Sequence, residues 1–208
     1  MEQAPGSHQA RRSLNLRTGR GILQAVEVNQ DERQWVRRAR LGDRGAWDAL
    51  LSSYQLRLFG FARRLVEDKE DALDIVQETF TGAIRHIASL RDDERFGGWL
   101  FAIARQHCLL RLRKRRRAIV ETVEQIDDLE DTAESVEDVL FRQEQAEAID
   151  RAIATLPEPQ KTAILLHYFL DLPLVELAEV MQSPVGTVKS RLHFARLALR
   201  RALSEEHQ

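Results

Sequence analysis

An all-α chain is predicted here: two small helical domains joined by an acidic flexible linker, the C-terminal one ending in a helix-turn-helix. Three observations carry the prediction. Hydrophobic residues fill 43% of 208 positions, enough for genuine cores, while Gly and Pro number only 10 and 5. Apolar residues recur at three- and four-residue steps from Trp35 to Ile87 and again from Ala148 to Leu199, the period of a helix with one buried face. Charge is partitioned: the formal net charge of −2 conceals a basic arm (Arg11, Arg12, Arg17, Arg20), a cationic run from Arg111 to Arg117, an acidic tract from Glu121 to Asp138 and a basic end from Lys189 to Arg201. The boundaries that follow are a disordered arm over 1–27, a first domain over 28–117, a linker over 118–145 and a second domain over 146–208.

Residues 1–27 show no periodicity. Trp35, Ala39, Ala46, Trp47, Leu50, Leu51, Tyr54, Leu58, Phe61 and Leu65 mark a helical pair broken near Gly42-Asp43. A polar turn, Glu67 to Glu70, precedes a third helix whose inward stripe is Val76, Phe80, Ala83, Ile84 and Ile87. After the polar loop Arg91–Gly98, Trp99 opens the last helix of the domain. In the linker, apolar residues stand isolated among carboxylates and cannot offset the entropy of ordering the chain. The second domain begins with Ala148, Ile149, Ala152 and Ile153. Pro157 and Pro159 then punctuate it, and Ala163, Ile164, Leu165, Tyr168 and Phe169 follow. Leu174, Leu177, Ala178 and Met181 form one buried face; Ser183 suits a helix cap and Pro184 a first helical position. Val188, Leu192, Ala195 and Leu199 then point inward. The opposite side presents Gly186, Thr187, Ser190 and His193, flanked by Lys189 and Arg191. Small and hydroxyl side chains permit close approach to a duplex, and cations suit its phosphates.

Several function classes are disfavoured. Cys108 is the single cysteine, which precludes an internal disulfide and suits the cytoplasm. No apolar run reaches the roughly 20 residues of a membrane span, so no direct membrane insertion is expected. No Gly-rich phosphate loop and no nucleophile–base arrangement is recognisable, and His107-Cys108 lacks the further ligands of a zinc site. The expectation is no enzyme, no metal, no cofactor and no small-molecule substrate. Asp71, Asp74 and Glu78 lie on one helical face beside Gln77, a row that suits a metal, acid–base catalysis or simply a solvated surface. Around Arg91–Arg117, Phe96 and Trp99 could wall a pocket for an unstacked base, or be core.

Three blocks resemble bacterial sigma factors of the extracytoplasmic-function (ECF) group. They are Glu70-Asp-Ala-Leu-Asp-Ile-Val-Gln-Glu-Thr-Phe80, then Phe96-Gly-Gly-Trp-Leu-Phe-Ala-Ile-Ala-Arg105 with the following cationic run, and Pro184-Val-Gly-Thr-Val-Lys-Ser-Arg-Leu192. They stand in the family's order and cover most of Asp31 to Leu203. The resemblance implies binding to core RNA polymerase through its large-subunit coiled coil and flap, recognition of two promoter DNA elements, and control by an anti-sigma factor. It assigns Asp71, Asp74, Gln77 and Glu78 to core binding, with Ile75 and Leu73 adding apolar contact. It assigns Arg85, His86, Arg91, Arg95, Phe96, Arg111, Arg113, Lys114, Arg115 and Arg116 to the −10 element. Thr187, Lys189, Ser190, Arg191, His193 and Arg196 go to the −35 element. Four residues depart from the family pattern. Gln182 replaces the usual turn Gly, and so needs a left-handed backbone or a differently shaped turn. Phe194 stands where many relatives carry Arg, a place that suits contact with a thymine methyl or with a protein. Gln106 and Leu110 replace frequent Asn and Asp. Two other readings compete: a helix-turn-helix regulator that does not bind core polymerase, and a metal-dependent phosphohydrolase built on the carboxylate row. The acidic linker suits a passive tether or a competitor with DNA for the basic surfaces.

Overall fold

The computed structural model describes residues 30–121, 147–169 and 172–205, and no strand occurs among them. Four helices build the first domain: α1 (Gln30–Arg40), α2 (Arg44–Val66), α3 (Lys69–His86) and α4 (Phe96–Glu121). Four build the second: α5 (residues 147–154), α6 (Glu158–Ile164), α7 (Leu174–Val180) and α8 (Val185–Glu205), with a wider π-helical turn, Leu165–Phe169, continuing α6. α4 continues past Arg117 into the first residues of the expected linker. The expected 1–27 arm and most of the linker lie outside the described residues.

The helix boundaries follow local chemistry. α1 carries Asp31 and Glu32 in its first turn and Arg37, Arg38 and Arg40 in its last, matching the helix dipole. It stops in a Schellman turn, with Gly42 N donating to Ala39 O and Asp43 N to Arg38 O (3.0 and 3.1 Å). Gly42 sits there at φ +84°, which costs glycine nothing. Asp43 then caps α2 by accepting from Ala46 N at 3.2 Å, and Asp68 caps α3 by accepting from Asp71 N at 2.8 Å.

The first core is aromatic at its centre. Phe96 meets Tyr54 edge-on with ring centroids 5.6 Å apart, and Phe101 meets Phe61 at 5.4 Å, geometries worth about 0.5–1.5 kcal/mol each beyond burial. Leu50, Leu58, Ile75, Ala83 and Leu100 complete it. One inward assignment needs correction. Ile84 is 54% exposed, because the buried line of α3 runs through Ala72, Ile75, Thr79 and Ala83. Thr79 fits that line because its hydroxyl donates back to Ile75 O at 2.6 Å.

One carboxyl is buried in this core. Glu32 accepts from Tyr54 Oη at 2.8 Å, and burial raises its proton affinity above the ordinary 4.5, against the opposing pull of Tyr54 and Arg57. The folded protein therefore holds this proton to higher pH than the unfolded chain does. The Glu32 contribution to stability is complete below 4.5 and is lost as pH rises through the raised value. A Glu32→Gln variant should gain thermal stability relative to the parent as pH rises above 4.5. Parallel melting curves with no pH trend in their difference would contradict this.

Gly97 explains the first glycine of Phe96-Gly-Gly-Trp99. A Cβ there would stand 2.8 Å from Tyr54 Oη, an atom already fixed by Glu32. Gly97→Ala should cost about 1–3 kcal/mol, the usual cost of overpacking, measurable by chemical denaturation.

The second core gathers Ile153, Leu156, Ile164, Leu166, Leu177, Met181, Val188, Leu192, Ala195 and Leu199, so the predicted inward face of α8 is buried along its length. Ser183 does not behave as the expected cap: its hydroxyl donates to Met181 O (3.1 Å) and accepts from Arg191 Nη1 (2.9 Å). Pro184 supplies the carbonyl for Val188 N, the first bond of α8. The α7–α8 turn repeats the Schellman pattern of α1, through Ser183 N to Ala178 O and Gln182 N to Glu179 O, both 3.0 Å. Here Gln182 occupies the left-handed position at φ +49°. Gln182→Gly should therefore raise stability by about 1 kcal/mol, the scale of a non-glycine left-handed residue. A lower melting temperature for that variant would sink the strain argument.

The two domains pack on each other, α7 against α4 and α6 with its π turn against α2. Among the described residues, ion pairs cross the boundary at Arg64–Asp150 (2.9 Å), Lys161–Glu67 (2.6 Å) and Arg95–Glu179 (2.7 Å). Lys161 is buried, and Glu67 presents its carboxylate from a left-handed position at φ +61° that ends α2.

Candidate functional site

α3 and α4 lie antiparallel, and their facing stripes carry opposite charge. On α4, His107, Arg111 and Arg115 recur every four residues; they face Asp68, Asp71, Asp74 and Glu78. Arg111 bonds Asp71 through Nη1 and reaches Glu78 Oε1 (2.8 Å) and Asp74 Oδ2 (3.4 Å) through Nη2. His107 Nδ1 lies 3.0 Å from Glu78 Oε2. Arg115 donates to Val66 O and to Asp68 Oδ2, both at 2.9 Å. The bond from Glu78, then that from Asp71, raises the proton affinity of the Arg111 guanidinium further. Asp68 is held below the ordinary carboxylate range, first by the Asp71 amide it accepts from.

The acidic row is thus a braced surface. Asp74 and Glu78 remain largely exposed, with Gln77 beside them. Leu73 is 54% exposed on the same outer side, whereas Ile75 has no exposed surface. Ile75 is accordingly corrected from contact residue to core residue: it lies on the line that packs against α2 and α4, and a helix cannot show one side chain to both sides. Arg111 and Arg115 are corrected too. The sequence places them in a phosphate-tracking run, but they point at the carboxylates of α3 while Arg113, Lys114, Arg116 and Arg117 point to solvent.

The loop between α3 and α4 is pinned from below. Arg37 and Arg40 hold Asp93 at 3.1 and 2.9 Å, and Arg33 holds Glu94 at 2.9 Å. Above the loop, Arg85, His86 and Arg91 are exposed. Phe96 is fully buried under Tyr54 and cannot wall a ligand pocket, which corrects its assignment. Trp99, tilted against it at 5.9 Å, is partly exposed and lines the cleft with Leu90, Arg91, Arg95 and Val180. Arg95 is engaged from the other domain: both Glu179 oxygens accept from its Nη1, at 2.8 and 2.7 Å, and this bond is the first cause of its raised proton affinity.

On α8, Thr187, Lys189, Ser190, His193 and Arg196 are exposed along the side opposite the core. Arg191 is set apart from them, half-buried and turned to the Ser183 hydroxyl. The Arg196 guanidinium lies over the Tyr168 ring, 5.7 Å from its centroid.

Several participants escaped the sequence reading. Asp93 and its neighbouring arginines, Glu179, and Arg105 act through interactions between residues far apart in the chain. Arg105 Nε is buried with no hydrogen-bond partner, and burial, the largest cause, lowers its proton affinity; nearby Arg191 and Arg113 add like-charge repulsion. The α3–α4 pairing had a signal in the four-residue repeat His107/Arg111/Arg115 beside the 71/74/78 carboxylates. Burial pushes the Cys108 thiol up to about 12, leaving it uncharged at neutral pH. Among the described residues, no group of three or more His, Cys, Asp or Glu side chains is arranged so that it could hold a metal ion. No described helix is long and apolar enough to cross a membrane.

Comparison with known proteins places the chain in a family. Residues 50–118 match the family model Sigma-70 region 2, and residues 146–199 match Sigma-70, region 4. The RNA polymerase sigma-H factor of Pseudomonas aeruginosa is 37% identical over 185 residues, covering 85% of this chain and 95% of that protein. The ECF RNA polymerase sigma-E factor of Haemophilus influenzae is 35% identical over 170 residues, covering 77% and 89%. The ECF RNA polymerase sigma factor SigW of Bacillus subtilis is 29% identical over 178 residues, covering 82% and 95%. Among solved structures, CnrH in complex with the cytosolic domain of CnrY superposes with a TM-score of 0.63 at 24% identity, over 84% of this chain and 98% of that one. The sigma factor RpoE of Bartonella quintana, in complex with the anti-sigma factor NepR, gives 0.59 at 24% identity, over 75% and 97%. Two family models in order, and relatives matched over about nine-tenths of their length, lead to one conclusion: this chain belongs to the ECF group of RNA polymerase sigma factors.

Proposed function

We propose that this chain binds core RNA polymerase through the outer face of α3, reads two promoter elements and directs transcription initiation. The observation that carries the reading is the division of labour between its helices. α3 shows a braced acidic face with one exposed leucine, and α8 shows a cation-flanked face of small residues. Asp74, Gln77, Glu78 and Leu73 meet the polymerase coiled coil; Asp71 and Arg111 hold that row in place. Arg85, His86 and Arg91, with Arg113, Lys114 and Arg116 further along α4, meet the melted −10 element and its phosphates, and Trp99 supplies the aromatic wall. Arg95 joins them once it is released from Glu179. Thr187, Lys189, Ser190, His193 and Arg196 face the −35 duplex.

The domains bounded at 28–117 and 146–208 carry these two tasks, and 118–145 is the tether between them. The chain works in the cytoplasm as a binding factor; the chemistry of RNA synthesis belongs to the polymerase. An anti-sigma factor is its natural regulator, since the CnrH and RpoE structures are both complexes with a partner protein. In vitro transcription from a genomic promoter library, with core polymerase alone and with the chain added, tests the reading. New start sites that depend on the chain are expected; an unchanged transcript profile overturns it.

A further inference from the structure

The recognition face of α8 is unlike a row of polar readers. At 100° per residue, the side facing away from Val188, Leu192, Ala195 and Leu199 is centred near Ser190, with Gly186, Thr187 and Phe194 beside it. Gly186 has open space around the place a Cβ would take. The Ser190 hydroxyl donates back to Gly186 O at 3.1 Å, so its proton is directed into its own helix. Arg191 is turned aside to Ser183, and Arg196 is laid over Tyr168. The Ser190 hydroxyl and the two arginines are therefore engaged within the protein, while Thr187, Lys189 and His193 stay exposed. Among these polar groups projects one large apolar side chain: Phe194, 56% exposed, one helical turn beyond Ser190 and two beyond Thr187. The His193 ring meets it edge-on, centroids 5.5 Å apart and planes at 71°, which limits the positions the phenyl ring can take.

A phenyl ring cannot hydrogen-bond a base edge. The major groove offers it one apolar group, the C5-methyl of thymine, while the other base edges there are donors and acceptors. We propose that Phe194 is a specificity-determining residue that reads a thymine of the −35 element through its methyl group. This rests on the reading of α8 as the −35 helix. It predicts that one position of the promoter consensus is fixed by an apolar contact, with His193 as the positioning residue that holds the ring.

Deoxyuridine replaces thymidine with the loss of the methyl alone. Holoenzyme formed from core polymerase and the full chain would be used to select −35 sequences from a randomised duplex library. Each thymine of the selected consensus would then be replaced singly by deoxyuridine in competition binding. At one position the replacement should weaken the parent holoenzyme about fourfold, the factor one buried methyl is worth. Holoenzyme carrying Phe194→Ala should bind the two duplexes equally there, and Phe194→Leu should retain part of the preference. The ring is exposed, so both variants should melt with the parent. A parent holoenzyme that prefers a −35 sequence yet ignores every deoxyuridine overturns the inference and leaves the −35 reading standing. A thymine preference that survives Phe194→Ala also overturns it, as does a loss confined to core affinity. No selected −35 sequence at all sinks the underlying reading and the inference with it.

Discussion

Arg111→Ala should lower affinity for core polymerase by about tenfold or more while leaving the salt dependence of promoter binding unchanged, the opposite of what its place in a cationic run suggests. Its guanidinium lies among Asp71, Asp74 and Glu78 and is only a quarter exposed. Removing it leaves three carboxylates on one face of α3 facing one another, which splays the row and costs stability. Losing one partner of a fully buried pair costs about 3–5 kcal/mol; solvent screening of this half-open cluster brings the expectation nearer ~2 kcal/mol. The control is Lys114→Ala with Arg116→Ala, two exposed cations on the same helix. That pair should leave core affinity alone and flatten the plot of log affinity against log salt by about 0.7–0.9 for each phosphate that is no longer neutralised. Fluorescence-detected core binding and salt-titrated promoter binding measure the two quantities separately. If Arg111→Ala flattens the salt plot as the control does, the cation serves DNA and the bracing argument fails.

The second large effect separates neighbours on α3. Leu73→Glu should leave the melting temperature within about 1 °C, because surface substitutions usually lie within about ±0.5 kcal/mol. It should nevertheless cut core affinity by about 30-fold, since placing a new charge at a docking face abolishes an apolar interaction of roughly 2 kcal/mol. Ile75→Ala should do the reverse. Its side chain is fully buried, so truncation costs about 2–5 kcal/mol in transfer and cavity energy, with core binding affected only as the folded fraction falls. Thermal melts alongside core titrations well below the melting point give both readouts. Equal loss of core affinity for the two folded variants would mean that the outer face of α3 is not where polymerase docks.

The pairing of Arg95 with Glu179 bears on both surfaces. It ties a −10 candidate in one domain to the first helix of the helix-turn-helix in the other, and two further ion pairs support the same closed packing. On the proposed role of Arg95, promoter engagement asks the domains to part, or at least to exchange Glu179 for a phosphate at Arg95. Both partners are about half exposed, so breaking the pair costs little.

Helix periodicity is a local property, and so the chain alone determined much of this protein. Val188, Leu192, Ala195 and Leu199 are inward because steps of three and four place them on one side of α8, whatever α8 packs against. The break at Gly42, the strained turn at Gln182 and the three family blocks were readable for the same reason: each depends on residues within a few positions of one another. The tertiary structure decided which of several similar residues faces a partner. Ile75 and Leu73 are equally apolar, and α3 could show either until α2 and α4 closed on one side of it. Arg111, Arg113 and Lys114 are equally cationic, and only the antiparallel docking of α4 on α3 gave Arg111 to the carboxylates and left the others to solvent. Phe96 went under Tyr54 and Trp99 to the rim by the packing of α4 against α2. A charge or a ring carries no record of its partner in its own neighbourhood when that partner lies some 40 residues away.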